Sequence, residues 1–239
     1  MSESALDSSA SDSRTLADRV VARLQDDIVL GVFKPGTKLG EAELAARYGV
    51  SRGPLREAIR RLESRKLLER IPHVGTRVAS LKATDLIEIY RVREALEGMA
   101  ARLAAEHMSD AEVAGLWELL ALHEQQQDLQ EDIAYYQRAG DLDFHYRIIQ
   151  GSHNGALIDL LLGEIYHRVR MFRYQFSMTP NRPKKALAEH RRIVEAIEAR
   201  DGEMAELLMR RHISRAREYL EAQQRQDLSA PQPPLSERT

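Results

Sequence analysis

The sequence predicts a mainly α fold in two parts, a small basic module of short helices and a hairpin followed by an all-α bundle of about six helices. Three observations carry this. From residue 84 onward nearly every apolar residue recurs at helical spacing, and no alternating β-rich segment appears. Before that point, two short helical stretches meet at a tight glycine turn and are followed by two short strand-like runs. Charge divides the same way: residues 14–80 carry 14 Lys+Arg against 8 Asp+Glu, residues 81–239 carry 21 against 26, and the first 13 residues carry three acids and no base. A basic module on an otherwise acidic chain points to a polyanion as that module's partner.

Composition narrows the function classes. With 239 residues, 43% hydrophobic and 30% charged, the chain is a soluble globular protein with ample sequence for a core. No apolar run reaches the roughly eighteen residues of a membrane span, and Met1 to Arg14 has no apolar signal core, so a cytoplasmic protein without membrane contact is expected. The absence of cysteine excludes disulfides, thiol catalysis and zinc-thiolate sites. Any metal must then be held by carboxylates and the eight histidines.

Residues 1–13 read as a disordered tail and residues 14–80 as the first domain. Leu16, Val20, Leu24 and Ile28 give a first helix, capped by Ser13 or Thr15 and ended near Gly31. Pro35-Gly36 is a turn, and Leu44, Ala45 and Tyr48 lie on a short helix that stops at Gly49. Ser51 is placed to cap the next helix, whose Pro54 falls in the first turn, where its missing N–H costs nothing. Leu55, Ala58, Ile59 and Leu62 form its core stripe, while Arg52, Arg56 and Arg60 share the opposite side. Leu67–Ile71 and Thr76–Val78, around Pro72-His73-Val74-Gly75, make a hairpin. The order is that of a winged helix-turn-helix, with the arginine row expected in the major groove of double-stranded DNA.

The run Gly49-Val50-Ser51-Arg52-Gly53-Pro54-Leu55-Arg56-Glu57-Ala58-Ile59-Arg60-Arg61-Leu62-Glu63 resembles the winged helix-turn-helix signature of GntR-family transcription regulators, and Gly31, Pro35-Gly36 and Leu39 fall at that family's turn positions. The resemblance implies that Arg52 and Arg56, with Ser51 and Arg60 beside them, contact DNA at the major groove, and that the tip around His73 and Gly75 reaches the minor groove. The chain departs from the pattern twice. Lys66 stands where the family has a helix-ending Gly, which predicts a left-handed non-Gly residue or a further phosphate contact. Gly53 stands where a Thr is common, which removes a phosphate-binding hydroxyl.

The second domain, residues 81–223, is expected to hold helices near 84–107, 109–129, 131–151, 154–176, 184–200 and 203–223, with Ser109 and Glu112 as a capping box. Asn154-Gly155, Pro180 to Pro183 and Asp201-Gly202 separate them, and residues 224–239 read as a disordered tail. Four polar residues interrupt the apolar stripes: Asp141 and His145 one turn apart on the third helix, His190 on the fifth and His212 on the last. Unpaired burial of such groups costs several kcal/mol, and a shared Zn, Ni, Mn or Fe ion satisfies all four together. The alternative is that hydrogen bonds satisfy each one separately.

Asp-x-x-x-His at Asp141 to His145, with His190 and His212 later, resembles the FadR-like branch of the family with its FCD effector domain. That resemblance implies Asp141, His145, His190 and His212 as metal ligands. Arg93 lies on a core-facing arc with Leu86, Ile89 and Tyr90, where it either pairs with Glu97 one turn on or clamps a ligand carboxylate. Arginine is common at this place in the resembling family, which favours the clamp. His107, His123, His153 and His167 are expected at the surface or in local hydrogen bonds, and Trp117 in the core. The expected function is a homodimeric, ligand-responsive repressor acting on inverted half-sites, with a small organic acid as effector. Two other readings are a metal-free regulator taking an acyl ligand, and an Asp/His metalloenzyme; no motif places a catalytic acid or base for the latter, and an enzyme has no use for the arginine helix.

Overall fold

The computed structural model describes residues 15–80, 82–132, 135, 137, 140–176 and 183–229. The expected tail at 1–13 lies outside them. The chain divides into two compact units, one of residues up to Ile28 with Val32–Ala79, the other of Val29–Gly31 with Ser80 onward.

In the first unit, α1 (Leu16–Val29) is capped by Thr15, Ser13 lying outside the described residues: Asp18 N donates to the Thr15 hydroxyl at 3.1 Å and Thr15 N returns a bond to the Asp18 carboxylate at 2.8 Å. Val20, Leu24 and Ile28 are buried, while Leu16, expected in the same stripe, is 42% exposed. After β1 (Lys38–Leu39) comes α2 (Glu41–Tyr48), which ends at Gly49 in the left-handed region, φ 66. There Val50 N bonds Ala45 O and Gly49 N bonds Ala46 O, the paired closure that a residue without Cβ adopts most readily. The chain restarts at once as α3 (Arg52–Ser64), which buries Leu55, Ala58, Ile59 and Leu62. Each of the leucines and the isoleucine contributes about 1.5–3 kcal/mol. The same closure ends α3, with Lys66 at φ 56 in the left-handed position. β2 (Leu68–Ile71) and β3 (Gly75–Val78) form the expected hairpin, and β1 adds a third antiparallel strand on the other edge of β3, pairing Leu39 with Thr76. Two residues carry no periodicity, so the sequence offers no signal for β1.

The second unit contains α4 (Ala83–His107), α5 (Asp110–Glu124), α6 (Gln127–Gln130), a 3-10 turn at Gly140–Leu142, α7 (Phe144–Gly151), α8 (Gly155–Leu160), α9 (Tyr166–Phe176), α10 (Pro183–Glu198) and α11 (Gly202–Ser229). The chain passes from α8 into α9 through a single π turn, Leu161–Ile165. The capping box of Ser109 and Glu112 opens α5 as the sequence predicts. The two long helices α4 and α11 pack along each other through Ala101, Ala104, Ala105 and Ala205, all fully buried. At Gly98 the approach is so close that an added Cβ would lie 2.6 Å from Arg210 Cγ. Leu116 and Leu120 of α5, Phe144 and Ile148 of α7, and Ile193, Val194 and Ile197 of α10 complete the core. No helix among the described residues is long and apolar enough to cross a membrane.

Three expected helix limits change. The second expected helix breaks at Gln125–Gln126, leaving α6 as a separate turn. Of the third, expected over 131–151, the helix found among the described residues begins at Phe144, because Gly140 is left-handed at φ 66 and Asp143 is extended at the N-cap, its side chain accepting from Tyr146 N. The last runs on to Ser229, so residues 224–229 belong to α11 and not to a tail; residues 230–239 lie outside the described ones. The reversal before α11 falls on Arg200 at φ 59, and Gly202 is instead the first residue of the helix.

Candidate functional site

Each unit carries one candidate site. In the first, the core stripe of α3 fixes which way its other side chains point. Arg52, Arg56 and Arg60 are all exposed, at the start and along one side of the helix. Arg56 is held by Glu41 of α2 at 2.9 Å and Arg60 pairs with Glu57, while Arg52 has no partner among the described residues. By contrast Arg61 turns to Asp18 of α1, and Arg65 donates to Gln25 at 2.7 Å; these two brace the unit. Ser51 occupies the N-cap position without making the side-chain bond, so its hydroxyl stays exposed at the helix N-terminus. Lys66 is exposed just past the C-terminus of α3, and His73, at φ 62, and Gly75, at φ 106, form the exposed turn of the hairpin.

In the second unit the backbones of α7, α10 and α11 bring His145, His190 and His212 together, 2%, 1% and 6% exposed. One nitrogen from each lies within 4.8 Å of the others. Each imidazole is gripped at Nδ1: His145 by Glu97 at 2.6 Å, His212 by Glu189 at 2.6 Å and His190 by the Tyr135 hydroxyl at 3.2 Å. The Nε2 atoms of His190 and His212 face each other at 3.2 Å, and the ring of Phe144 stacks on His190 at a centroid distance of 3.9 Å. Burial alone would push the Glu97 carboxyl up, but Arg93 and His145 beside it reverse this and hold it well below the usual carboxylate range. A carboxylate only accepts, so the bonded Nδ1 of His145 and of His212 carries a proton, and in the neutral ring that a metal requires the lone pair is on Nε2.

Asp141 departs from expectation. It lies in the 3-10 turn, exposed, and does not belong to the cluster of three histidines. The cause is the N-cap at Asp143, which separates Asp141 from the helix that carries His145 and so cancels the one-turn relation between them. Asp143, 1% exposed, is the buried acid of this stretch.

Arg93 satisfies one of its two expected roles and leaves the other open. Its Nε donates to Glu97 at 2.6 Å and its guanidinium lies over the Tyr90 ring at 4.7 Å, yet Nη1 is buried with no hydrogen-bond partner among the described residues. With Glu97, Asp143, His145, Ile149 and Arg170 it lines a small cavity that admits about one water molecule, and Leu161 and Ile165 of the π turn form part of the wall. Burial pulls the Arg93 pKa down, and the Glu97 carboxylate more than offsets this.

Glu189 and Tyr135 carry no signal in the sequence that marks them for this site. Glu189 directly precedes His190, a spacing with no periodic signal. His123, expected at the surface or in local bonds, is 1% exposed and bonded on both ring nitrogens. His107 and His153 lie at the surface as expected, but their contacts, with Ser152 O at 3.3 Å and Glu112 at 3.1 Å, join distant parts of the chain and are not local; Trp117 packs partly buried on the core.

Comparison with known proteins accounts for both units. Residues 16–78 match the profile of bacterial regulatory proteins of the gntR family, and residues 88–215 match that of the FCD domain. The chain is 34% identical over 205 residues to an uncharacterized HTH-type transcriptional regulator of Bacillus subtilis, covering 83% of this chain and 88% of that one. It is also 34% identical over 214 residues to the probable D-xylose utilization operon transcriptional repressor of Paenarthrobacter nicotinovorans, covering 86% and 90%. The Escherichia coli galactonate operon transcriptional repressor is 28% identical over 209 residues, covering 79% and 90%. Among solved structures, E. coli McbR/YncC shares the fold with a TM-score of 0.70 at 24% identity, covering 88% of this chain and 99% of that one.

Proposed function

The chain belongs to the GntR family of bacterial regulatory proteins and carries an FCD domain, and from this premise we propose a homodimeric repressor whose FCD domain holds a divalent transition metal and a small organic acid. That it is a DNA-binding transcription regulator follows from the family itself. Named relatives are repressors of sugar and sugar-acid operons, which favours repression here. On DNA, Arg52, Arg56 and Arg60 read the major groove, Ser51 and Lys66 bind phosphates, and the hairpin tip at His73 and Gly75 enters the minor groove. One winged helix makes few base contacts, so a dimer on inverted half-sites supplies the specificity.

The observation that carries the metal reading is the facing pair of Nε2 atoms at 3.2 Å, with Glu189 on the far nitrogen of His212. Two nitrogens sharing one ion at about 2.0–2.1 Å each stand roughly 3.0–3.4 Å apart, so the spacing fits. His145 supplies the third donor from α7, and imidazole suits Zn, Ni, Mn or Fe. Asp141 stands outside the cluster and is left out of the proposal. When bound, the ion supplies a positive centre that accepts an acid oxygen. Arg93 offers the second contact through its buried Nη1, beside a cavity that as it stands admits about one water and must widen to take an acid. Because Arg93 and Glu97 both lie on α4, which begins four residues after the first unit ends at Ala79, an effector that draws on α4 acts on the connection to the DNA-binding unit. A coupling of about 1–3 kcal/mol changes operator affinity roughly 5- to 150-fold.

The test is elemental analysis of protein purified without chelator, followed by calorimetry of organic acids against wild type, Arg93→Lys and metal-stripped protein. About one equivalent of metal per chain is expected, with acid binding weakened in both altered forms. No metal, together with no thermal shift on adding Zn, Ni or Mn, overturns the metal reading. An effector that is neutral, or binds all three forms equally, overturns the bridge.

A further inference from the structure

A buried hydrogen-bond chain runs from the 3-10 turn to His190. His123 Nε2 lies 3.0 Å from the Leu142 carbonyl, His123 Nδ1 lies 2.8 Å from the Tyr135 hydroxyl, and the same hydroxyl lies 3.2 Å from His190 Nδ1. The first link sets the direction of the rest. A carbonyl only accepts, so His123 donates from Nε2. Burial pushes the His123 pKa down, which keeps the ring neutral and leaves a lone pair on Nδ1. The single proton of Tyr135 therefore goes to His123, its shorter contact. The hydroxyl then meets His190 with a lone pair, and His190 carries its own proton on Nδ1.

We propose that His123 and Tyr135 are positioning residues that hold His190 as the Nδ1–H tautomer and so keep its Nε2 lone pair directed at the metal position. His145 and His212 need no such device, because Glu97 and Glu189 can only accept. At His190, among the described residues, the group on Nδ1 is a hydroxyl, which can donate as well as accept. Without His123, the Tyr135 hydroxyl can turn its proton toward His190 Nδ1. His190 then carries its proton on Nε2 and gives it to His212 Nε2 at 3.2 Å, closing the site with a hydrogen bond that a cation must break. Outer partners of this kind typically change metal affinity by about 10- to 100-fold.

What the lone pair receives rests on the metal reading; the tautomer does not, and the experiment separates the two. In full-length, metal-stripped protein labelled with ¹⁵N-histidine, long-range proton–nitrogen spectra assign the protonated nitrogen of His190. Zinc affinity is measured in parallel by chelator competition on wild type, Tyr135→Phe and His123→Phe. The expected result is Nδ1–H in wild type, a shift toward Nε2–H in His123→Phe, and zinc binding about 10- to 100-fold weaker in both variants. Nε2–H in wild type overturns the proposal, as does zinc affinity within twofold of wild type in both variants. If wild type binds no zinc but holds His190 as Nδ1–H and loses it in His123→Phe, the lock stands and the metal reading falls. Should either variant fail to fold, the other, with the wild-type spectrum, decides the question.

Discussion

The two units handle charge in opposite ways. In the winged unit the side chains proposed to meet DNA stand outside: Arg52, Arg56 and Arg60 are exposed, and the acids that meet them, Glu41 and Glu57, are held in water-accessible pairs. In the helical unit the side chains proposed to hold metal and effector stand inside: Arg93 and Glu97 are each 3% exposed, and the three clustered histidines are at or below 6%. An exposed pair exchanges partners at little cost, so the arginines can leave acids for phosphates and bases when DNA arrives. A buried pair has no solvent to exchange with, and each member depends on every other. Binding by the first unit is thus separable from its stability, whereas in the second the site and the core are one network.

The most direct way to break that contrast is Glu97→Gln. The change removes the only ion-pair partner of Arg93 among the described residues and the acceptor on His145 Nδ1. Leaving a buried guanidinium without its counter-charge costs about 3–5 kcal/mol, read as a lower urea midpoint for the second unit. A loss below about 1 kcal/mol would mean that the network is not coupled as its geometry requires.

Arg56→Ala tests the other side. On a cognate operator it is expected to lose about 1–3 kcal/mol of binding, measured by gel-shift titration, with the unfolding midpoint unchanged. Arg56 must leave Glu41 to reach DNA, so Glu41→Gln should tighten binding to all sequences and steepen the salt dependence. Operator affinity equal to wild type in both Arg52→Ala and Arg56→Ala would remove α3 as the reading helix.

The same contrast explains what the sequence made legible. An exposed row opposite an apolar stripe is a pattern in one dimension, so α3, its arginines, the turn at Gly49 and the hairpin can all be read directly, and even the left-handed Lys66 is foreseeable. The inward histidines were visible because each interrupts a stripe. Their partners were not: Glu97, Glu189 and Tyr135 come from three separate segments, and only packing brings them to the imidazoles. Asp141 was misplaced for a local reason, since projecting at helical spacing assumes that the helix already exists, and the left-handed Gly140 and the cap at Asp143 delay it to Phe144. The two-residue β1 offers no period to detect.

The smallest expected effect sharpens the contrast through acid and salt. Asp18 accepts from Thr15 and Arg61, and these bonds, Thr15 first, hold its pKa at about 2 against an ordinary 3.8. A depressed carboxylate pKa means that the unfolded chain takes up the proton first. The stabilisation is therefore whole above pH 3.8 and is lost as pH falls toward 2. Glu97 has the same sign, with its loss beginning below the ordinary 4.5 and running further into acid because its folded pKa is lower still. Asp18→Asn should thus lower the melting temperature of the first unit slightly at pH 7, and the difference from wild type should shrink as pH drops below 3.8. Salt distinguishes the two cases. The Asp18 pair faces water, so raising ionic strength from 0.05 to about 1 M, where the screening length is about 3 Å, should erase most of its difference. The loss caused by Glu97→Gln, behind a closed core, should survive the same salt. Equal salt sensitivity in the two variants would show that water reaches Arg93 and Glu97, and the division between an outward and an inward site would have to be given up.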